Sequence, residues 1–245
     1  MWSKTQIKSH IEVALLLDKI KDEVFEYIGI NKKVSEKQVQ EFILKRFDEN
    51  NIKSDKDSPI VAFNENSSKP HYFPSNNSKT LETGSLILID LWAKFKNSDG
   101  PFADITWVAY YGNNIPKKIQ NVFNVVLRAR DSSLNFIKQE IKEGKMPIGK
   151  DVDKVTRDII NKEGFEGKFL HGTGHSIGTS SPHGNRSNLN IKGKKALLIN
   201  LGYTIEPGIY LENEFGIRSE IDFYINEKKE VVVTTPIQNK IIKIS

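Results

Sequence analysis

The sequence predicts an α+β fold in which helices flank antiparallel strands, and the order of its elements is the main reason. Two helical segments and a strand pair are followed by two more helical segments and further strands. A segregated order of this kind favours antiparallel pairing over alternating βαβ units. It also indicates two similar halves, although no alignable sequence repeat accompanies them.

Four helices are predicted where apolar residues recur at helical spacing. The second one begins at a capping box formed by Ser35 and Gln38, in which side chains satisfy the free backbone amides of the first turn. The four predicted ranges are 3–30, 35–46, 115–143 and 152–162.

The predicted strands are apolar runs bounded by turn residues. Residues 81–95 and 102–112 are joined by the turn sequence NSDGP and predict a β-hairpin. The other predicted strands cover residues 59–63, 196–210, 215–225 and 230–237.

Composition and charge exclude several classes of protein. The chain has 245 residues, of which 38% are hydrophobic and 27% charged, as in an ordinary globular protein. Its formal charge of +5 is spread along the chain, and no nucleic-acid-binding motif is present, so no nucleic-acid partner is expected. The chain has no cysteine, no signal-peptide pattern and no apolar run long enough to cross a membrane, so we expect a cytoplasmic protein.

Several carboxylates interrupt the apolar strand segments, where charged residues are rare unless they are paired or bind a metal. One such residue would usually mark a bend or a surface position, but four segments carry them. These residues are Asp90, Asp104, Glu206, Glu220 and Asp222.

A candidate metal-ligand set combines four of these carboxylates with His175. Oxygen-rich ligands with one imidazole suit Mn²⁺ and also accept Co²⁺, Fe²⁺ or Zn²⁺. Four carboxylates exceed what a single hydrolytic zinc uses and fit two ions bridged by carboxylates. The set is Asp90, Asp104, His175, Glu206 and Glu220.

Five segments, in order, carry a resemblance to a known family: LIDLWAK, ADITWVAY, HGTGHSIG, TIEPGIY and GIRSEID. The chain resembles the pita-bread metallopeptidases, which include aminopeptidase P, prolidase and methionine aminopeptidase, over nearly its whole length. The EPGIY and RSEID forms are similar to the aminopeptidase P and prolidase branch. The resemblance implies a curved antiparallel sheet flanked by helices, in pseudo-duplicated halves. It also implies a single catalytic domain over residues 1–245, without the separate amino-terminal domain usual in that branch.

The resemblance implies a role for each candidate ligand. Asp90 would bind one ion, Asp104 and Glu220 would bridge both ions, and His175 and Glu206 would hold the other. Glu206 would also move protons between the attacking water and the leaving nitrogen.

Three further histidines are assigned to the substrate side by the same resemblance. His71, His171 and His183 would contact the peptide, and His71 or His183 would stabilise the oxyanion. Arg218 either orients Glu220 or is a surface residue of an alternating strand. His10, on the first predicted helix, is expected at the surface.

The sequence departs from the family pattern at several positions. Asp90 and Asp104 are 14 residues apart, a few more than usual, and Asp99 in the hairpin tip competes as the second ligand. The eight-residue interval from His175 to His183 is one longer than expected. Trp107 stands where the family often has arginine.

The implied function is a two-metal exopeptidase that hydrolyses the N-terminal bond of peptides with a free N-terminus, as an Xaa-Pro aminopeptidase or dipeptidase. Three alternatives stay open: a methionine aminopeptidase, a metal-free hydrolase of creatinase type, and an inactive peptide-binding or scaffold module on the same fold. The assembly state, including a homodimer, also stays open.

Overall fold

The computed structural model describes residues 1–245, and its four α-helices follow the predicted pattern closely. Each predicted boundary lies within three residues of the observed one. The helices are α1 (Lys4–Ile30), α2 (Glu36–Glu49), α3 (Lys117–Lys142) and α4 (Gly149–Lys162). None of them is both long enough and apolar enough to cross a membrane.

Capping boxes begin the first two helices. The Ser35 hydroxyl accepts a hydrogen bond from the Gln38 amide, and the Gln38 side chain accepts one from the Ser35 amide, as predicted. Ser3 and Gln6 form the same reciprocal pair at the start of α1. Both helices therefore start at positions that the local sequence determines.

Ten strands and one short 3₁₀ helix, Asn64–Ser68, complete the fold. The strands are β1 (Ile52–Lys53), β2 (Ile60–Phe63), β3 (Leu86–Phe95), β4 (Ala103–Tyr111), β5 (Gly202–Ile205), β6 (Gly208–Leu211), β7 (Phe215–Arg218), β8 (Ile221–Ile225), β9 (Val231–Val233) and β10 (Ile242–Ile244).

The strands form three hydrogen-bonded sheets. The largest contains β1, β2, β3, β4 and β10, and its centre is the predicted hairpin of β3 and β4, which pair antiparallel from Leu86 opposite Tyr110 to Ala93 opposite Ala103. The second half contributes the sheets β5–β8–β9 and β6–β7. One pair departs from the antiparallel expectation, because β10 returns from the second half and joins the free edge of β4 in parallel.

Two predicted strands are each divided into two shorter ones. The range 196–210 becomes β5 and β6, because Pro207 has no amide hydrogen and cannot continue the ladder. The range 215–225 becomes β7 and β8, separated by Ser219 and Glu220. Glu206 and Glu220 therefore both lie at interruptions, where their backbones are released from regular pairing.

The two faces of the large sheet bury different sides of the molecule. On β3, Ile89 and Leu91 belong to a hydrophobic cluster with α1 and α2, whereas Leu88 and Trp92 pack with α3 and the second half. Because successive strand residues point to opposite faces, Asp90 shares the face of Leu88 and Trp92. The sheet thus directs its carboxylates toward the junction of the two halves.

His10 is buried, so the expectation that it lies at the surface is wrong. Its side chain belongs to the inward face of α1 and is 1% exposed. Its Nδ1 atom lies 2.7 Å from the carbonyl oxygen of Phe102, and its Nε2 atom lies 2.7 Å from the hydroxyl of Thr234. Burial lowers the pKa of His10 to about 4, so the ring is neutral near pH 7. Helical periodicity, rather than residue polarity, determines this position.

Replacing His10 with phenylalanine is expected to lower the free energy of unfolding by about 1–3 kcal/mol, because a buried carbonyl loses its hydrogen-bond donor. Chemical denaturation of the metal-free protein measures this change. Leu15→Ala is the control on the same helix, since Leu15 is 61% exposed and its loss should change stability by less than about 0.5 kcal/mol. Equal stability of the His10 variant and the wild type would contradict the structural role.

Candidate active site

A cavity of about 280 Å³ lies where the two halves meet. Side chains from the 55–73 segment, the β3–β4 hairpin, the 169–190 segment and the second half line it. All nine residues that the sequence assigns to the site are among them: His71, Asp90, Asp104, His171, His175, His183, Glu206, Arg218 and Glu220.

The β3–β4 hairpin brings Asp90 and Asp104 to the same face of the sheet. Asp90 lies opposite Thr106 and Asp104 lies opposite Trp92 in the antiparallel register. The long interval between the aspartates is taken up by the strand ends and the hairpin tip. Asp99 lies in that tip, where its carbonyl accepts a hydrogen bond from Gln6, and it does not line the cavity. Of the two candidates for the second aspartate, only Asp104 lines the cavity.

Three of the five candidate ligands form a compact cluster. Atoms of Asp104, His175 and Glu220 that can bind a metal lie within 4.8 Å of one another, and all three side chains are buried. Glu206 adjoins this cluster, since its Oε1 atom lies 3.3 Å from Nε2 of His175. Asp90 lines the same cavity.

The glycines of HGTGHSIG explain how His175 reaches the cluster. At Gly174 a Cβ atom would lie 2.0 Å from the carbonyl oxygen of Thr204, so only glycine allows the backbone to approach β5 this closely. Next to it, the His175 amide donates to the Thr204 hydroxyl at 3.0 Å, and the Thr204 amide donates to the His175 carbonyl at 2.9 Å. The segment fixes one histidine against a strand.

The carboxylates destabilise one another in the absence of added positive charge. Burial raises the pKa values of Asp104 and Glu220 well above their usual range, and repulsion from neighbouring carboxylates adds to the shift. Burial also raises the pKa of Glu206 to about 7. Burial lowers the pKa of His175 to about 3, which leaves the ring in the neutral form that binds metals.

The donor set fits divalent metal ions. The Oδ1 atoms of Asp90 and Asp104 are buried without any hydrogen-bond partner. Buried polar atoms normally have a hydrogen-bond partner. Two carboxylate oxygens without one in the same cavity therefore fit a site that binds positive charge. Cations beside these oxygens would provide partners and would also neutralise the carboxylate cluster.

Arg218 organises the cluster from one side. Its side chain is 3% exposed, so the interpretation as a surface arginine is wrong. Its guanidinium pairs with Asp90, donates to the Tyr210 hydroxyl at 2.8 Å and donates to the Thr106 hydroxyl at 3.0 Å. The Thr106 hydroxyl in turn donates to Glu220 at 2.7 Å. Arg218 thus contacts Asp90 directly and reaches Glu220, the residue it was predicted to orient, through the Thr106 hydroxyl.

The three substrate-side histidines occupy different environments within the cavity. His171 lies 2.6 Å from the Tyr210 hydroxyl through Nε2 and 2.8 Å from the Gly172 carbonyl through Nδ1. The ring of His183 lies against that of His175, with centroids 4.2 Å apart. His71 is exposed and makes no hydrogen bond, so its ring is free to meet a ligand.

Several residues at the site were not identified from the sequence. Thr106 and Tyr210 contact Arg218 without lining the cavity; alternation along β4 would have placed Thr106 on the face of Asp104, and Tyr210 belongs to the EPGIY segment itself. Residues of the cavity wall that the sequence did not indicate include Asp55, Asp57, Trp92, Asn188 and Asn190. Trp107, the departure from the family pattern, points to the opposite face and packs under the ammonium of Lys21, 3.8 Å from the ring centroid. It does not touch the cavity.

Glu206→Gln is expected to stabilise the metal-free protein increasingly as the pH rises. Below the ordinary glutamate pKa of 4.5 both folded and unfolded chains bind the proton, so Glu206 contributes nothing. Between pH 4.5 and about 7 the unfolded chain ionises first, and folding is penalised by up to about 3 kcal/mol. Urea denaturation of both proteins at pH 4 and pH 8 measures the difference, and a pH-independent difference would contradict the shifted pKa.

Comparison with known proteins agrees with this site. The model of metallopeptidase family M24 matches residues 12–227. A curated relative, the putative dipeptidase YkvY of Bacillus subtilis, is 31% identical over 177 residues, which are 72% of this chain and 45% of the relative. The chain spans 45–62% of the length of the curated relatives it matches.

Solved structures share the fold. The X-Pro aminopeptidase of Thermotoga maritima superposes with a TM-score of 0.87 at 27% identity, over 99% of this chain and 64% of that one. The Xaa-Pro dipeptidase of Bacillus anthracis gives 0.85 at 27% identity, over 98% and 63%. With the family match over most of its length, the chain belongs to metallopeptidase family M24 and has the pita-bread fold.

Proposed function

We propose that this chain is the catalytic part of a two-metal exopeptidase that removes the N-terminal residue from Xaa-Pro peptides. The observation that carries the proposal is the buried cluster of Asp104, His175 and Glu220, with Asp90 and Glu206 in the same cavity. The activities named for the Thermotoga maritima and Bacillus anthracis structures support the choice of substrate.

The five candidate ligands would hold two ions, with Mn²⁺ as the favoured metal. Asp90 would hold one ion, His175 and Glu206 would hold the other, and Asp104 and Glu220 would be shared between them. When bound, the ions supply the positive charge that activates a water molecule and stabilises developing negative charge. Arg218 keeps one oxygen of Asp90 occupied, which leaves the unpaired Oδ1 atom to face the metal.

Glu206 is the proton carrier of the proposed reaction. Its Oε1 atom accepts a hydrogen bond from the Thr204 hydroxyl at 3.1 Å, which fixes the carboxylate at the edge of the cluster. In the metal-free site burial raises its pKa to about 7, and a bound cation would lower that pKa and favour the carboxylate form that accepts a proton. Glu206 takes a proton from the attacking water and delivers it to the leaving nitrogen.

The histidines bind and orient the peptide. His71 and His183 have ring nitrogens available at the cavity and stabilise the carbonyl oxygen as it gains charge. Both ring nitrogens of His171 are already engaged by the protein, so His171 forms a fixed part of the substrate wall and holds the Tyr210 hydroxyl beside Arg218.

The setting and partners follow from the same proposal. The substrate is a peptide with a free N-terminus, and the cytoplasm is the proposed compartment for this cysteine-free chain. A scaffold role does not require a buried set of metal ligands with unpaired oxygens, and the complete set argues against it.

The test is hydrolysis of Ala-Pro, Ala-Pro-Ala and Met-Ala-Ser after chelation and again after Mn²⁺ is added. We expect release of alanine only with metal, and a loss of at least about 100-fold in kcat for Glu206→Gln. Glu166→Gln, an exposed carboxylate outside the cavity, is the control and should retain activity.

Cleavage of Met-Ala-Ser alone would replace the proposal with a methionine aminopeptidase. Turnover that persists without metal would favour the creatinase type of hydrolysis. No turnover of any peptide, together with no bound Mn²⁺, would favour the binding-module alternative.

A further inference from the structure

Two carboxylates line the cavity that the proposed reaction does not use. Asp55 and Asp57 belong to the segment between β1 and β2, and both contribute to the wall that also contains the metal ligands. Neither was identified from the sequence, because both lie in the polar segment 53–58, where aspartates are unremarkable. Because both carboxylates line the cavity in which a peptide would bind, each of them can contact a substrate.

Asp55 is held in a defined orientation. One carboxylate oxygen accepts a hydrogen bond from the indole nitrogen of Trp92 at 2.9 Å, and the other accepts one from the Ser181 hydroxyl at 3.2 Å. Trp92 follows Asp90 by two residues on β3, and Ser181 precedes His183 by two. The carboxylate is therefore fixed between two segments that carry the reaction chemistry.

The charge of Asp55 acts inside the site. Burial lowers the pKa of His183, while the negative charges of Asp90 and Asp55 oppose that shift. The backbone amide of Asp57 also donates to Asp55 at 3.2 Å, which brings the two aspartates together at the cavity wall.

Neither aspartate forms an ion pair with a protein cation, although Lys53, Lys56 and Lys94 line a neighbouring cavity together with Asp55. Asp55 accepts only neutral donors, and the exposed side chain of Asp57 has no hydrogen-bond partner. The nearby Lys94 is occupied elsewhere, since its ammonium donates to the Thr179 carbonyl at 2.6 Å. Arg218 pairs with Asp90, and the other cluster carboxylates face the metal positions. Two negative charges thus remain available to a substrate.

We propose that Asp55 and Asp57 select peptides whose N-terminal residue is lysine or arginine. The inference rests on the proposed Xaa-Pro activity. Proline on the far side of the bond is neutral, so the positive charges that a substrate brings are the α-ammonium group, which all substrates share, and the side chain of a first residue that is lysine or arginine. The indole of Trp92, beside Asp55, offers an aromatic surface to the aliphatic part or the cation of that side chain.

The test compares Lys-Pro-Ala with norleucine-Pro-Ala, which has a similar length without the charge. The Mn²⁺-loaded wild type is expected to favour the lysyl peptide by about fivefold or more in kcat/KM. The ratio should fall toward one in Asp57→Asn and in Asp55→Asn, and it should fall as salt is added. Glu166→Gln removes an equal charge outside the cavity and should keep the wild-type ratio.

A charge reversal sharpens the test. Asp57→Lys, at an exposed position that tolerates substitution, should shift the preference from Lys-Pro-Ala to Glu-Pro-Ala. The ratio between substrates is the readout, so a general loss of activity in one variant does not imitate the expected result.

Three outcomes overturn the inference. The first is a wild-type ratio near one with norleucine-Pro-Ala cleaved, which leaves the proposed function intact. The second is an equal loss on all peptides in Asp57→Asn, which assigns the carboxylate to the common α-ammonium group. The third is failure to cleave either peptide, in which case the proposed function fails and the inference fails with it.

Discussion

The placement of four carboxylates, three of them buried and Glu206 half-buried, in one cavity is the constraint on which the rest of the structure depends. Asp90, Asp104, Glu206 and Glu220 face one another with only one arginine among them. Their mutual repulsion opposes folding of the metal-free chain. Cations bound between the carboxylates would offset this repulsion and stabilise the folded state. The carboxylate cluster therefore lowers the stability of the metal-free protein, and bound metal ions would raise it again.

The architecture supplies these groups from both halves of the chain. The β3–β4 hairpin presents two aspartates on one face, while the second half presents two glutamates at positions where its strands are interrupted. Gly174 lets the histidine segment approach β5, and Arg218 joins the halves by contacting Asp90 and Thr106. Because the contacts cross the junction, movement of either half would disperse the ligands.

Sequence patterns were sufficient for the helices and the central hairpin, because periodicity is a local signal. The strand carboxylates were predicted from charge within apolar segments and the substrate-side histidines from the family resemblance; all of them line one cavity, and their roles stay predictions. Sequence patterns failed where contacts between distant segments determine whether a residue is buried, which strands pair or which side chains enter the cavity. His10 is polar yet buried, since only the fold reveals Phe102 and Thr234 as its partners. The parallel pairing of β10 depends on an edge that the sequence does not mark. Asp55 enters the cavity because Trp92 holds it there.

The most direct test of the central claim is an anomalous diffraction experiment on crystals of the protein grown with Mn²⁺. The account predicts two peaks about 3.5–4 Å apart, with Asp104 and Glu220 between them, Asp90 at one and His175 with Glu206 at the other. A single peak, or none within the cluster, would contradict the assignment of these buried carboxylates to a pair of metal ions.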